Sequence, residues 1–151
     1  MNRYAMRDAL IEAVEGFDPV VFVTLMFNQE TDLRLAQRPV VDFFNRVQRR
    51  AHGSRWQRFP ADRQLRAYAF PEHPHSNLHW HAAATGSDRI VTCLLEHGAE
   101  IWAGRPGAGH ADVQMAENEE AVARYVTKHA AANWSLENFI AYAPDRSLAL
   151  V

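Results

Sequence analysis

The sequence predicts an α+β protein with a central, mostly antiparallel sheet of about five strands flanked by helices. Two observations carry this prediction. Apolar runs rich in β-branched and aromatic residues alternate with segments whose apolar residues recur at helical spacing. Two of the predicted strands are also separated by only a short turn, which makes them antiparallel neighbours in a hairpin.

The first half of the chain alternates helix and strand. Gly16 and Gly53 are interpreted as helix stops, and Pro39 as the first residue of a helix. The apolar run that follows Pro19 lacks polar alternation, as expected of a central strand. The predicted elements are, in order, a helix over 3–15, a strand over 20–27, a polar loop over 28–37 and a helix over about 40–52.

The second half contains the hairpin and two more helices. Asn118 is a suitable N-cap, and Glu119 and Glu120 would place negative charge in the first turn of the helix that follows it. The glycines of residues 104–109 predict a loop. The predicted elements are strands over 64–72 and 77–85, a helix from 87 to between 97 and 103, a short strand over 112–115, a helix from 119 through 128 and a last strand over 137–142.

Length and composition indicate one globular domain over residues 1–151. The chain has 151 residues and 48% hydrophobic content, which is enough for a substantial core. No apolar run reaches membrane-spanning length, and the N-terminus lacks a signal-peptide pattern, so no membrane partner is expected. The single cysteine, Cys93, lies among apolar residues and is predicted to be buried; without a second cysteine, a cytoplasmic location is the expectation.

A cluster of arginines with interleaved aromatic residues follows the second predicted helix. The net charge of -2 argues against indiscriminate nucleic-acid binding, but residues 46–66 carry seven arginines and one acid, Asp62. Arginines with aromatic residues suit a phosphate backbone with some base stacking, while a solvated helix face running into a polar loop is the alternative. The residues predicted to bind DNA are Arg46, Arg49, Arg50, Arg55, Trp56 and Arg58.

A histidine pair lies in the second strand of the predicted hairpin, in His79-Trp80-His81. Residues i and i+2 of a strand point to the same face, so both imidazoles project together and Trp80 projects oppositely. In a register that pairs Glu72 with His79, the Glu72 carboxylate falls beside both histidines. Such a group, with open coordination positions, suits Mn²⁺ or Mg²⁺ acting as a Lewis acid on a phosphate.

Two alternatives stay open for this group. His73 or His75 in the turn could supply the third ligand in place of Glu72. The pair could also be a hydrogen-bonded surface feature, since a chain with eight histidines can contain a His-x-His triplet by chance.

Tyr125 and Lys128 form the third candidate feature. The chain has one lysine among its sixteen basic side chains, and it lies at helical i+3 spacing from Tyr125, on the same helix face. A flexible ammonium beside a tyrosine nucleophile could stabilise charge on the phenolic oxygen or on an attacked phosphate. The alternatives are a tyrosine that belongs to the core and a lysine that faces water.

Taken in order, these features resemble the HUH endonuclease superfamily, specifically the single-tyrosine rolling-circle replication initiators (Rep proteins). The resemblance spans residues 20–130. It is carried by three segments: the strand ending Val23-Thr24-Leu25-Met26-Phe27, His79-Trp80-His81 followed by three alanines, and Tyr125-x-x-Lys128.

The resemblance implies a function for each of these residues. His79 and His81 would be metal ligands with Glu72 as an acidic third ligand, Tyr125 would be the nucleophile that nicks single-stranded DNA at an origin or hairpin, and Lys128 would assist at the phosphate. The fold it implies is related to the RNA-recognition-motif topology.

The chain also departs from the family pattern. Met26 stands where a second threonine is common, and His129 rules out the two-tyrosine arrangement of some phage initiators. The chain has no Gly-x-x-x-x-Gly-Lys loop, so the helicase domain of larger initiators is not expected in it. It is then a nuclease domain alone, a fragment of a longer protein, or the partner of a separate helicase.

Three other functions remain alternatives. A single-tyrosine transposase of the same superfamily typically has glutamine where this chain has Lys128. A non-catalytic nucleic-acid-binding module would use the arginine cluster. In a metal-free structural domain the histidines would be incidental.

Overall fold

The computed structural model describes residues 2–29, 31–72, 77–129 and 138–143. Within these ranges the chain forms four α-helices, two 3₁₀ turns (Trp56–Arg58 and Ala61–Arg63) and five strands, so the predicted α+β class is confirmed. The elements are α1 (Arg3–Glu15), β1 (Val21–Phe27), α2 (Leu33–His52), β2 (Arg66–Glu72), β3 (His79–Thr85), α3 (Asp88–Ala103), β4 (Ala108–Met115), α4 (Glu119–His129) and β5 (Ile140–Tyr142).

The five strands form one open sheet in the order β4-β1-β3-β2-β5. Each neighbouring pair is antiparallel. From β1 to β4 the chain follows a β-α-β-β-α-β order, the split βαβ arrangement. β1 and β3 lie at the centre of the sheet, and β3 is the strand that carries the histidine pair.

Helices cover the two faces of the sheet in separate pairs. We call the face that carries His79 and His81 the front face, and the face that carries Trp80 the back face. Side chains alternate along each strand, so one set joins a front cluster with α1 and α4 and the other a larger back cluster with α2 and α3. On β3, for example, Ala83 belongs to the front cluster, whereas Trp80 and Ala82 belong to the back cluster.

Most predicted elements are present. The helix over 3–15 is confirmed, and both strands of the hairpin are found slightly shorter than predicted. The fourth strand is longer than predicted because it begins at Ala108, directly after Gly107, whose positive φ of 79° suits a turn. The predicted turn at 73–76, the first residue of the last predicted strand, Glu137, and the tail lie outside the described residues.

The predicted loop over 28–37 is wrong from Leu33 onward. α2 begins at Leu33, where the Asp32 carboxylate accepts a hydrogen bond of 2.7 Å from the Arg34 backbone N–H. Pro39 therefore lies inside the helix and is not its first residue. Proline is tolerated there because the carbonyl it leaves without a partner belongs to Leu35, which is 72% exposed, and water can reach that part of the helix.

Two further expectations concern burial and membranes. Cys93 is buried in the back cluster, as its apolar neighbours predict. Among the helices of the described residues, none is both long enough and apolar enough to cross a membrane.

Candidate metal centre

The hairpin pairs its two strands in the register that a site with Glu72 requires. β2 and β3 pair Glu72 with His79 and Phe70 with His81, which places the carboxylate and both imidazoles on the front face. Trp80 points the other way and is completely buried. The three ligand groups are each partly buried, and one ligand atom from each lies within 4.8 Å of the other two.

These three side chains could hold a metal ion. Two ligands of one ion at bond lengths of about 2.1 Å lie about 3 to 4 Å apart, so the observed spacing needs only a small contraction. The Nε2 atom of His81 already faces Oε2 of Glu72 in a direct hydrogen bond. Two imidazole nitrogens and one carboxylate leave further coordination positions for water or a substrate oxygen.

Thr24 orients His81 from the neighbouring strand. β1 pairs Thr24 with His81, and the Thr24 Oγ1 lies 3.1 Å from Nδ1 of the histidine. When Nδ1–H donates to this hydroxyl, the lone pair of the imidazole is on Nε2, on the side of Glu72. Thr24 was not predicted to be a site residue, although it lies in the first of the three segments that carry the family resemblance.

Tyr125 lies over the same face of the sheet as the histidine pair. α4 carries it onto the front cluster, where its ring stacks on Phe22 with 4.1 Å between centroids and 12° between planes. Its ring centroid is 6.3 Å from that of His81. The hydroxyl donates a hydrogen bond of 3.1 Å to the backbone carbonyl of Ala82, the residue after His81. Tyr125 is therefore part of the core packing and a neighbour of the candidate ligands at once.

α4 begins where the sequence predicts. The Asn118 side chain accepts a hydrogen bond of 2.8 Å from the backbone N–H of Ala121. Two acidic residues in the first turn and the positive charge of Lys128 in the last turn match the helix dipole. Val122 and Val126 are buried on the front face, which sets the rotation of the helix and directs Tyr125 inward.

His129 lies beside the candidate metal ligands, although it was not among the site residues predicted from the sequence. Its ring stacks on His81 with 4.0 Å between centroids and 23° between planes. It also contacts the ring of Tyr125, with 4.5 Å between centroids. The i, i+4 spacing of Tyr125 and His129 was readable from the sequence, but the docking of α4 against β3 was not.

Burial controls the charge state of this cluster. It lowers the pKa of His81 although Glu72 raises it, and it lowers the pKa of His129 to about 4, with a smaller contribution from His81. Burial, with the negative charge of Glu72, also holds the pKa of Tyr125 well above its usual range. Near neutral pH the imidazoles of His81 and His129 are therefore uncharged, and Tyr125 is protonated. A neutral imidazole is what His81 needs in order to bind a metal ion.

Lys128 is exposed on α4, one helical turn after Tyr125. Its positive charge is close enough to lower the pKa values of His81 and His129. The structure therefore places the ammonium at the margin of the cluster, where water reaches it.

The arginine cluster lies elsewhere. Arg46, Arg49 and Arg50 are exposed on α2, which packs against the back face, and Arg55 and Arg58 are exposed just beyond its end. Arg46 forms an ion pair with Asp42 at 3.0 Å. Trp56 is only 7% exposed, so in this conformation its ring offers little surface for base stacking. The structure thus brings none of the predicted DNA-binding residues to the candidate metal ligands.

Comparison of the chain with protein-family models, with curated proteins and with solved structures gives no match. Functional inference therefore depends on the residues themselves. The strongest grouping is the Glu72, His79 and His81 triad with Tyr125 above it.

Proposed function

We propose that this protein is a metal-dependent, site-specific endonuclease that nicks and rejoins single-stranded DNA through a 5'-phosphotyrosine intermediate. The reaction would initiate rolling-circle replication of a plasmid or phage-like element. One observation carries the proposal: a tyrosine on α4 lies next to a His-His-Glu group on the same sheet face, with ring centroids of Tyr125 and His81 6.3 Å apart.

The triad would hold Mn²⁺ or Mg²⁺. Mixed nitrogen and oxygen ligation with open positions suits these ions, and the bound ion would act as a Lewis acid on a phosphodiester. His79 and His81 project from a central strand whose Trp80 is buried on the other face, so the ligands stand on a rigid support.

Tyr125 would be the nucleophile. Its phenolic oxygen would form a bond to phosphorus while the bond from phosphorus to the 3'-oxygen breaks. The phenolic proton would pass to solvent water, and the departing 3'-oxygen would take up a proton from solvent to become the 3'-hydroxyl. Before attack the hydroxyl must leave the Ala82 carbonyl, which accepts a hydrogen bond but is too weak a base to take the proton. Rejoining is the reverse reaction, in which a 3'-hydroxyl attacks the phosphotyrosine.

Lys128 would assist at the phosphate. Its ammonium is exposed one turn after Tyr125, and a flexible cation there can follow a negatively charged phosphate as the strand binds. The substrate would be single-stranded DNA at an origin or hairpin, and the place of action the cytoplasm. A separate helicase would be needed as a partner if the chain is a nuclease domain alone.

A second candidate function is supported by the arginine cluster. Its exposed guanidinium groups lie on the α2 side, away from the triad, as a non-catalytic nucleic-acid-binding module would allow. Such a module would bind DNA or RNA equally well in EDTA and after Tyr125→Phe.

Covalent capture tests the proposal. The protein is incubated with a labelled random-sequence pool of single-stranded DNA and Mn²⁺ or Mg²⁺, and adducts are resolved on a denaturing gel and mapped by mass spectrometry. We expect an adduct on Tyr125 that disappears in EDTA and in Tyr125→Phe. Tyr4→Phe is the matched control, because Tyr4 is 61% exposed on α1 and should change nothing.

Tyr125→Phe keeps the ring that stacks on Phe22 and removes one hydrogen bond, so it should cost only about 1 kcal/mol of stability. Unfolding by urea confirms that the variant is folded. An adduct that persists in Tyr125→Phe, or none in either metal ion, contradicts the proposed function.

A further inference from the structure

His129 has no part in the chemistry proposed above, yet it lies in the middle of the cluster. Its ring contacts the ring of Tyr125 on its own helix and the ring of His81 on the central strand. It therefore joins the helix that carries the proposed nucleophile to one of the proposed metal ligands.

The ring of His81 is restrained on three sides. Thr24 approaches Nδ1 at 3.1 Å, Glu72 hydrogen-bonds Nε2, and His129 covers one ring face at 4.0 Å between centroids. Nε2 and the Glu72 carboxylate would both be engaged in holding an ion, and their direct hydrogen bond would be lost. The Thr24 contact and the stacked ring of His129 would then continue to restrain the imidazole from the protein side.

A hydrogen bond at one ring atom leaves the plane of an imidazole free to tilt. The terminal torsion of histidine is broad, so the side chain itself does not define the plane. A flat ring stacked at 23° to that plane does define it.

We propose that His129 is a positioning residue for the metal centre, holding the plane of His81 so that Nε2 faces the ion and coupling this ligand to the helix of Tyr125. The inference depends on the metal-binding group of the proposed function but not on DNA cleavage.

His129 is not itself well placed as a further ligand. Two imidazoles stacked nearly parallel direct their nitrogen lone pairs side by side and do not converge on one ion. Among the described residues, the group whose ligand atoms lie within 4.8 Å of one another comprises only Glu72, His79 and His81.

Mn²⁺ binding to the parent protein and to three variants of His129 tests the inference. Electron paramagnetic resonance of free Mn²⁺ gives the affinity of the parent, His129→Ala, His129→Phe and His129→Leu proteins. Arg124→Ala is the control, because Arg124 is an exposed side chain of the same helix. Outer contacts to metal-bound histidines typically affect affinity by about 10- to 100-fold, so we expect His129→Ala to bind Mn²⁺ about tenfold more weakly.

The other two variants separate a flat ring from simple volume. Phenylalanine retains the stack and should restore the affinity to within about twofold of the parent, while leucine fills the space without a plane and should remain weak. Urea unfolding in EDTA shows that each variant is folded. The inference is overturned if His129→Ala binds like the parent, if leucine restores binding as well as phenylalanine, or if the parent has no saturable site.

Failure of the proposed function looks different. In that case the parent binds Mn²⁺ and responds to the substitutions at residue 129, but it forms no covalent DNA adduct. The inference about His129 then stands for a metal centre of another function.

Discussion

The two faces of the sheet differ in chemistry although the same strands build them. The back face is a closed apolar core in which Trp80 and Phe43 are completely buried beneath α2 and α3. The front face has a smaller apolar cluster under α1 and α4 and, beside it, the partly buried Glu72 and histidine pair. Burial on one face gives stability, and partial burial on the other lowers the pKa of His81 and so favours a neutral imidazole beside a carboxylate.

β3 shows how one strand serves both faces. Its even residues, Trp80, Ala82 and Ala84, pack in the back cluster, while His79 and His81 project to the front. The large back-face anchor restrains the backbone that presents the ligands. A metal centre built this way needs no loop for its main supports, which favours a defined geometry.

The faces also differ in where the predicted DNA contacts lie. The arginine cluster lies on the back side of the sheet, on α2 and just beyond its end, and Lys128 lies at the margin of the front cluster. If metal binding and catalysis belong to the front face alone, substitutions on that face should have the largest effects and substitutions on the back side the smallest.

Removing a ligand should abolish metal binding. At Mn²⁺ concentrations about 100 times the dissociation constant, binding stabilises the folded parent by about 2.7 kcal/mol. We expect this stabilisation to vanish in His81→Ala and Glu72→Gln, as measured by urea unfolding with and without Mn²⁺. His97→Ala is the control on α3 of the back side. Equal Mn²⁺ stabilisation in His81→Ala and the parent would show that the metal binds elsewhere.

Acid should weaken the front face. His129 has a pKa lowered to about 4, chiefly by burial, against an ordinary value of 6.5. The unfolded chain therefore binds more protons than the folded protein between these values, and the associated stability, present above pH 6.5, is lost as the pH falls towards 4. After allowance for the water that reaches the ring, this contribution is on the order of 2 kcal/mol.

Urea unfolding in EDTA at pH 7.5 and pH 4.5 measures the loss. Phenylalanine cannot titrate, so His129→Phe should lose less stability than the parent over this interval. Carboxylates elsewhere contribute to both proteins and cancel in the comparison. An equal loss in the two proteins would mean that His129 is accessible enough to titrate normally.

The part of the site that the sequence predicted is local. Glu72 and His79 are close in the sequence and lie on neighbouring antiparallel strands, so strand alternation and the hairpin register together determine which side chains meet. Thr24 reaches His81 across 57 residues, and its pairing depends on which strands become neighbours in the sheet. No local pattern contains that information, and the same holds for the docking of α4 that brings His129 onto His81.

For the fold, too, prediction succeeded where local sequence patterns decide the structure and failed where tertiary packing does. Apolar runs rich in β-branched and aromatic residues predicted the strands, and the helical spacing of apolar residues between these runs predicted the α+β class. The predicted start of α2 is too late because Pro39 was interpreted as the first residue of the helix, whereas the helix begins after the cap at Asp32. Packing of Ala36 and Val40 in the back cluster keeps the residues around the proline helical.

Loss of the Thr24 hydroxyl should weaken metal binding without abolishing it. Thr24→Val keeps the size and branching of the side chain but removes the contact to Nδ1 of His81. We expect about tenfold weaker Mn²⁺ binding, as typical for partners of metal-bound histidines, measured by titration. Thr92→Val, at an exposed position of α3, is the matched control. Unchanged affinity in Thr24→Val would mean that the stacked ring of His129 alone orients the ligand.

The smallest expected effect concerns the arginines of the back side. If Arg49 and Arg50 contact phosphates of a single strand, replacing both by glutamine should reduce the salt slope of DNA binding by about 1.4, at about 0.7 per contact. Fluorescence anisotropy between low and moderate salt measures this slope. Each lost contact is worth on the order of 1 kcal/mol or less at these exposed positions.

Mn²⁺ affinity should not change in this double variant, because both side chains lie across the sheet from the triad. An unchanged salt slope would remove the arginines from the DNA-binding surface and leave the front face as the place where the strand binds. A changed slope with normal adduct formation would instead show that DNA extends around the edge of the sheet. The two faces of the sheet would then be two parts of one DNA-binding path.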